Sequence, residues 1–94
     1  MSKYYDYVAP DYKIRFGIGG DWFKFDNGNF IICGDLKDGD WKASIHIIRY
    51  ELDYGTCNMN LVDLPYETLV SFRKALAIRG LEYVLDKEIT LVED

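Results

Sequence analysis

The stretch WFKFDNGNFIICGD, residues 22–35, decides the fold of this chain. At its centre lies Asn27-Gly28, a pair that favours the two-residue turns between antiparallel strands because both central positions need positive φ. Before the turn, phenylalanine occupies every second position from Phe23, which is typical of a strand with one buried face. After the turn, residues 30–33 are apolar on both faces, which predicts a central strand. The stretch therefore predicts a β-hairpin inside a larger antiparallel sheet.

The pattern extends in both directions from this hairpin. Residues 12–18 alternate apolar and basic side chains and predict a preceding strand. Asp38-Gly39 is a second turn signal, and a long run with strand character follows it at residues 41–52. Tyr54-Gly55 then separates this run from an alternating segment at residues 57–61. We therefore expect an antiparallel β-meander of about five strands.

One helix follows the predicted meander. Asp63 is a favourable N-cap, Pro65 suits the first turn, and Gly80 suits the left-handed residue that ends a helix. These signals predict an α-helix over about residues 64–79, with an apolar stripe that packs against the sheet.

The two ends of the chain have weaker signals. Residues 89–92 favour a short final strand. The tyrosine-rich residues 1–11 have no clear period and are expected to form an N-terminal arm that either docks through its aromatic rings or is flexible. No linker or internal repeat divides the sequence. We expect one compact domain over residues 1–94, of the α+β class.

The charge balance limits the classes of partner. The chain has 11 basic and 16 acidic residues, a net charge of −5 and a pI near 4.7. The whole molecule is not expected to attract nucleic acid or an anionic membrane, and no stretch approaches the ~20 apolar residues that cross a bilayer. Only two cysteines are present and the N-terminus lacks the apolar run of a signal peptide, which favours a cytoplasmic protein. Acidity has a second explanation, since it also favours solubility.

A search for catalytic or cofactor-binding patterns is mostly negative. His46 is the single histidine and lies within a predicted strand, without a nucleophile beside it in the sequence. His46, Cys33 and Cys57 do not have the spacing of a zinc site. The segment at residues 17–20 lacks the third glycine of a dinucleotide-binding loop, and a strand follows it where that loop needs a helix. We expect a protein that is not an enzyme and has no metal or cofactor.

The first functional hypothesis is a protein-binding module. Small size, many tyrosines and negative charge suit a phage or mobile-element regulator that inhibits a nucleic-acid-handling protein by contacting its basic surface. The contact residues would be hairpin-tip aspartates and nearby aromatic rings, namely Asp35, Asp38, Asp40, Trp41 and Tyr54. A homodimer is equally compatible with the sequence, because the predicted helix has an outer flank.

The alternative hypothesis is binding of single-stranded nucleic acid by the open face of the sheet. An aromatic ring can stack on a base while lysine and arginine neutralise phosphates. The residues that would do so are Lys13, Arg15, Trp22, Lys24 and Lys42. Polar side chains on the wet face of any half-exposed sheet would explain the same pattern.

A family resemblance is the source of this alternative. Residues 25–77 contain two hairpins, the run Ile48-Arg49-Tyr50 and a polar strand that leads into the capped helix. In these features the segment, about half of the chain, resembles the single-stranded-DNA-binding transcriptional coactivators known as positive cofactor 4. The resemblance implies a curved sheet followed by a dimer-forming helix. Basic residues like those of the family's DNA channel are sparse here, and the resemblance assigns no site residue.

Overall fold

The computed structural model describes residues 3–41, 44–50 and 59–86, and confirms the predicted α+β fold class. Within these residues, five antiparallel strands form one sheet in sequence order, and helices follow in the C-terminal half. The strands are β1 (Tyr4–Ala9), β2 (Tyr12–Gly17), β3 (Trp22–Asp26), β4 (Phe30–Asp35) and β5 (His46–Arg49). The helices are α1 (Tyr66–Ala77) and α2 (Tyr83–Asp86), and a 3₁₀ turn at Leu61–Asp63 precedes them.

Strand β1 takes the place of the arm that we expected at residues 1–11. It pairs with β2 over all six of its residues, and Pro10-Asp11 connects the two strands. The sequence hides this strand because tyrosines occupy both of its faces, so apolar and polar positions do not alternate.

The long strand predicted at residues 41–52 is shorter in the structure. Within the described part of that range, only the four residues of β5 pair with β4. Of the strand predicted at residues 57–61, the first two positions lie outside the described residues and Leu61 begins the 3₁₀ turn. The final strand predicted at residues 89–92 also lies outside them. The strand number agrees with expectation, although β1 was not among the predicted strands.

The connection between β3 and β4 is built by side chains as well as by glycine. Gly28 adopts a positive φ of 88°, whereas the positive φ expected at Asn27 is absent. The Asn27 side-chain oxygen accepts hydrogen bonds from the backbone N–H groups of Asn29 and Phe30, at 3.0 and 2.8 Å. The Asp26 carboxylate accepts one from the Gly28 N–H at 2.9 Å. These contacts add to the backbone hydrogen bond that the Asn27 N–H donates to the Phe30 carbonyl at 3.2 Å, and together they hold the hairpin in register.

The core lies on one face of the sheet, beneath α1. The rings of Phe23 and Phe25 in β3 have centroids 5.7 and 5.2 Å from that of Phe72 in α1. Each of these rings is at most 1% exposed, and burial of each contributes about 1.5–3 kcal/mol. Around them the core includes Ile14, Phe16, Ile32, Trp41, Ile47, Leu69, Leu76 and Leu85.

Helix α1 begins and ends near the predicted positions. Pro65 immediately precedes its first residue, and Gly80, with φ of 68°, lies just beyond its end. Asp63 has a different role from the predicted one. Its carboxylate accepts a hydrogen bond from the Asn60 N–H at 3.1 Å, so it closes the 3₁₀ turn and does not cap α1.

Candidate functional site

Two loops meet at the end of the sheet where β2 and β4 finish. The Leu36 N–H, just after β4, donates a hydrogen bond to the Asp21 carbonyl, just before β3, at 2.8 Å. Beyond it, Asp38 and Gly39 adopt φ of 52° and 78°, and the Asp40 N–H donates to the Lys37 carbonyl at 2.8 Å. Asp-Gly is therefore a turn with two positive φ values, as predicted.

These loops form a surface that we call the acidic end. It carries four exposed carboxylates against two lysines, Lys3 and Lys37, within the described residues, and Lys42 lies outside them. Two aliphatic side chains are also exposed there, Ile18 at 56% and Leu36 at 39%. The carboxylates belong to Asp21, Asp38 and Asp40 in the loops and to Asp35, the last residue of β4. The sequence does not reveal Asp21 as a member of this surface. A backbone hydrogen bond between residues 15 positions apart joins the two loops, and no side-chain pattern marks it.

Trp41 is not part of this surface, so its predicted role as an exposed aromatic anchor is wrong. Its side chain is 5% exposed and packs on Phe23, with ring centroids 5.4 Å apart. Its indole N–H donates a hydrogen bond to the Tyr83 hydroxyl of α2 at 2.9 Å. Trp41 therefore joins the loop after β4 to the C-terminal helix. Tyr54, the other predicted anchor, lies outside the described residues.

The open face is the face of the sheet opposite α1, and it brings together four of the five residues predicted to bind nucleic acid. Lys13, Arg15, Trp22 and Lys24 all occupy positions that alternate with core residues, while Lys42 lies outside the described residues. The same face carries Asp6, Asp26 and Asp35, which the strand register places among them. Its three described basic side chains are matched by three carboxylates.

The charge of Arg15 is neutralised directly by Asp6 on the neighbouring strand. Its Nε and a terminal guanidinium nitrogen donate to the two oxygens of Asp6 at 2.7 and 3.2 Å, and its guanidinium lies 3.9 Å from the centroid of the Tyr4 ring. The hydrogen bond from Arg15 holds the pKa of Asp6 below its ordinary value of 3.8. Arg15 is therefore engaged with β1, and a phosphate would have to compete with Asp6 for it.

Trp22 has an unusual position on the open face. A β-carbon added to Gly17 on the neighbouring strand would overlap the Trp22 indole ring. The indole therefore lies directly over the Gly17 backbone and covers it. A shallow depression of about 140 Å³ lies elsewhere on this face, and Asp6, Lys13, Arg15, Lys24 and Asp26 are among the residues that line it.

Cys33 and His46 lie directly opposite each other on β4 and β5, a juxtaposition that the sequence did not reveal. Burial raises the pKa of the Cys33 thiol, and nearby Asp35 adds to the rise while Lys24 opposes it. A nucleophilic cysteine needs the opposite shift, because the thiolate is the reactive form. Within the described residues, no group of three or more His, Cys, Asp or Glu side chains is arranged to hold a metal ion.

Comparisons with known proteins identify no relative. No family model, no curated protein and no solved structure matches the chain. The resemblance to positive cofactor 4 therefore has no support from them. Among the described residues, no helix is long and apolar enough to span a membrane.

Proposed function

We propose that the chain is a small non-enzymatic protein-binding module whose acidic end binds a basic surface on a partner protein. The partner would be a nucleic-acid-handling protein, and the chain would act in the cytoplasm as its inhibitor, in the manner of a phage or mobile-element regulator. The observation that carries the proposal is the hydrogen bond between Leu36 and Asp21, because it holds two carboxylate-bearing loops together as one surface.

The chemistry of this surface favours a basic partner. Four exposed carboxylates act together on an approaching cation, and the exposed Ile18 and Leu36 offer apolar area that a simple counterion would not use. Proteins that bind nucleic acid present lysine and arginine on the surface that contacts phosphates. An acidic surface of this kind would compete with the nucleic acid for that contact.

A matched pair of triple variants tests the proposal. Asp35→Asn, Asp38→Asn and Asp40→Asn together remove three charges from the acidic end, and asparagine tolerates the positive φ at position 38. We expect this variant to bind a labelled oligoarginine peptide about tenfold more weakly than wild type, measured by fluorescence anisotropy. It should also lose the ability of wild type to release an oligonucleotide from its complex with that peptide.

The control variant removes the same charge elsewhere. Asp11→Asn, Glu67→Gln and Glu82→Gln together leave the acidic end intact and keep the two net charges equal. This control is expected to bind the peptide nearly as well as wild type. Equal losses in the two variants would mean that net charge alone attracts the peptide, and would remove the acidic end as a site.

The second candidate function is binding of single-stranded nucleic acid on the open face. The observation in its favour is that Lys13, Lys24 and Trp22 share that face, where a base would stack on the indole. Three carboxylates on the same face oppose it. In a low-salt titration with a labelled oligonucleotide, this reading requires binding that Trp22→Ala weakens, since stacking on an aromatic ring contributes about 1–3 kcal/mol. A flat titration curve would exclude it.

A further inference from the structure

Among the strands that the structure describes, β1 is an outer edge of the sheet, and residues 4–9 lack the features that usually protect an edge. It has six residues in continuous register with β2, and it lies first in the strand order. Natural edge strands are commonly interrupted by lysine, proline or a bulge, and none of these occurs in Tyr4–Ala9. The one charged residue of the strand, Asp6, is already bound by Arg15.

The backbone of β1 is arranged to accept another strand. Just before β1, the Lys3 carbonyl accepts a hydrogen bond from the Ile18 N–H, which follows β2, at 3.2 Å. The backbone polar groups of residue 3 therefore face the β2 side. Because bonded and non-bonded positions alternate in an antiparallel pair, residues 5, 7 and 9 also face β2. The N–H and C=O groups of Tyr4, Asp6 and Val8 consequently point away from the sheet.

The side chains of β1 are also exposed and apolar. Tyr4, Tyr7 and Val8 are 39%, 46% and 73% exposed. Tyr7 is the outer end of a row of rings that starts in the core. Its centroid is 6.4 Å from that of Tyr12, and Tyr12 is 5.8 Å from Phe25. A half-exposed ring thus ends an aromatic row at the sheet edge.

We propose that β1 pairs antiparallel with β1 of a second copy of this chain, about a two-fold axis at Tyr7. The two sheets become one continuous sheet, and the two aromatic rows meet at the axis. This inference is independent of the acidic end, which lies in the loops after β2 and β4.

Charge and exposed apolar side chains together select this register from the alternatives. Outward-facing residues must pair with one another, and an axis at Tyr5, Asp6 or Tyr7 lets at least two outward residues of Tyr4–Ala9 find such partners. An axis at Asp6 places two carboxylates directly opposite each other, which is unfavourable. An axis at Tyr5 brings together Tyr5 and its neighbour Phe16, 6.0 Å away, but it leaves the more exposed side chains, Tyr7 at 46% and Val8 at 73%, without a partner from Tyr4–Ala9 of the second copy. With the axis at Tyr7, Asp6 lies opposite the second copy's Val8, and the second copy's Lys13 follows about 10 Å away, two strand spacings across the sheet.

Cross-linking tests the register directly. With the axis at Tyr7, the two copies of residue 7 form a non-hydrogen-bonded pair with Cα atoms about 4.5 Å apart, within the range that a disulfide spans. Under mild oxidation, Tyr7→Cys is expected to form a covalent dimer, whereas Asp6→Cys and Val8→Cys remain at the level of the parent chain. The parent carries Cys33 and Cys57 and supplies that baseline. A dimer formed by Asp6→Cys and not by Tyr7→Cys would overturn the proposed register.

The self-association itself is measured by analytical ultracentrifugation from micromolar to millimolar protein. Wild type is expected to shift from the mass of one chain to that of two. Val8→Pro removes an outward N–H without removing a bond to β2, and should weaken the dimer about tenfold or more. Val8→Ala keeps the N–H and is the matched control, with a smaller expected loss. Circular dichroism checks that both variants are folded.

Salt supplies a further criterion. Each copy carries a net charge of −5, so added salt screens the repulsion between copies and is expected to strengthen the dimer. Wild type that remains a single chain over the whole concentration range, at low and at high salt, would overturn the proposal. So would a dimer that Val8→Pro leaves unchanged.

Discussion

Two positions in the sheet must be glycine because an aromatic ring occupies the space of a side chain there. Gly17 ends β2 beneath the Trp22 indole, and Gly34 in β4 lies beneath the Phe23 ring, where an added β-carbon would overlap ring atoms in both cases. Neither position needs the left-handed backbone for which glycine is usually selected, since their φ values are not positive. The sequence does show that glycine is present, but only the register of β2, β3 and β4 shows that a ring replaces its side chain.

The loss of stability caused by alanine at each of these glycines should depend on how far the neighbouring ring can move. Gly34→Ala is expected to lower the free energy of unfolding by about 2–3 kcal/mol, because Phe23 is buried and has little space to move. Gly17→Ala should cost about 1–2 kcal/mol, because the half-buried Trp22 can move toward solvent. The measurement is urea denaturation followed by circular dichroism.

Gly19→Ala is the control for this series. Its added β-carbon would meet only the Asp21 carboxylate at an ordinary contact distance of 3.5 Å, so the expected change is within about 0.5 kcal/mol. A cost at Gly19 equal to that at Gly34 would show that the loss of glycine flexibility, and not the overlap with a ring, governs the series.

At the scale of elements, β1 depends on the neighbouring strand for its place in the sheet. Its tyrosines are distributed over both faces, so the strand cannot be recognised by period, and its identity as a strand follows from pairing with β2. Asp6 and Arg15 form the one ion pair that the structure gives between these two strands. Such a contact joins residues nine positions apart, and sequence analysis had no means of pairing them in advance.

This ion pair predicts a pH dependence for β1. The hydrogen bond from Arg15 lowers the pKa of folded Asp6 below its ordinary 3.8, so the pair stabilises the strand at pH values above about that ordinary value. Its contribution is lost as the pH falls through the lowered, folded pKa. We expect amide hydrogen exchange in β1 to accelerate over that acidic interval in wild type.

Two variants isolate the cause. Asp6→Asn should remove the acid-dependent step in β1, because no titrating group remains at that position. Arg15→Lys replaces a two-point contact by a single charge and should move the pKa of Asp6 back toward its ordinary value, as measured by carboxyl NMR titration. An unaltered Asp6 titration in Arg15→Lys would show that another group sets this pKa.

At the scale of the whole molecule, the sequence predicted the α+β class, the two turns around Asn27-Gly28 and Asp38-Gly39, and the extent of α1. These features rest on local signals, namely period, turn residues and helix ends. Features that depend on distant contacts were not predictable. The alternation places Trp41 in phase with Ile47, which is buried, but the contacts of Trp41 with Phe23 and Tyr83 could be found only from the structure.

The residues of the candidate sites were likewise predictable only where a local sequence signal marks them. Lys13, Arg15 and Lys24 were correctly assigned to one face, but the carboxylates that share it come from β1, β3 and β4 and could be placed only with the strand register. The aspartates after β4, in contrast, were recognisable because they surround a turn signal in the sequence. On the open face, basic and acidic side chains are equal in number among the described residues, whereas in the loops the carboxylates outnumber the lysines.

The two tryptophans have different surroundings, so their fluorescence reports on two different parts of the molecule. Trp22 is partly exposed on the open face, whereas Trp41 is 5% exposed and bonded to Tyr83. Acrylamide should quench the first indole and largely spare the second, so emission from the two can be separated without adding a dye. Any compound that settles on the open face will change the quenchable part of the spectrum, and any loosening of α2 will change the remainder.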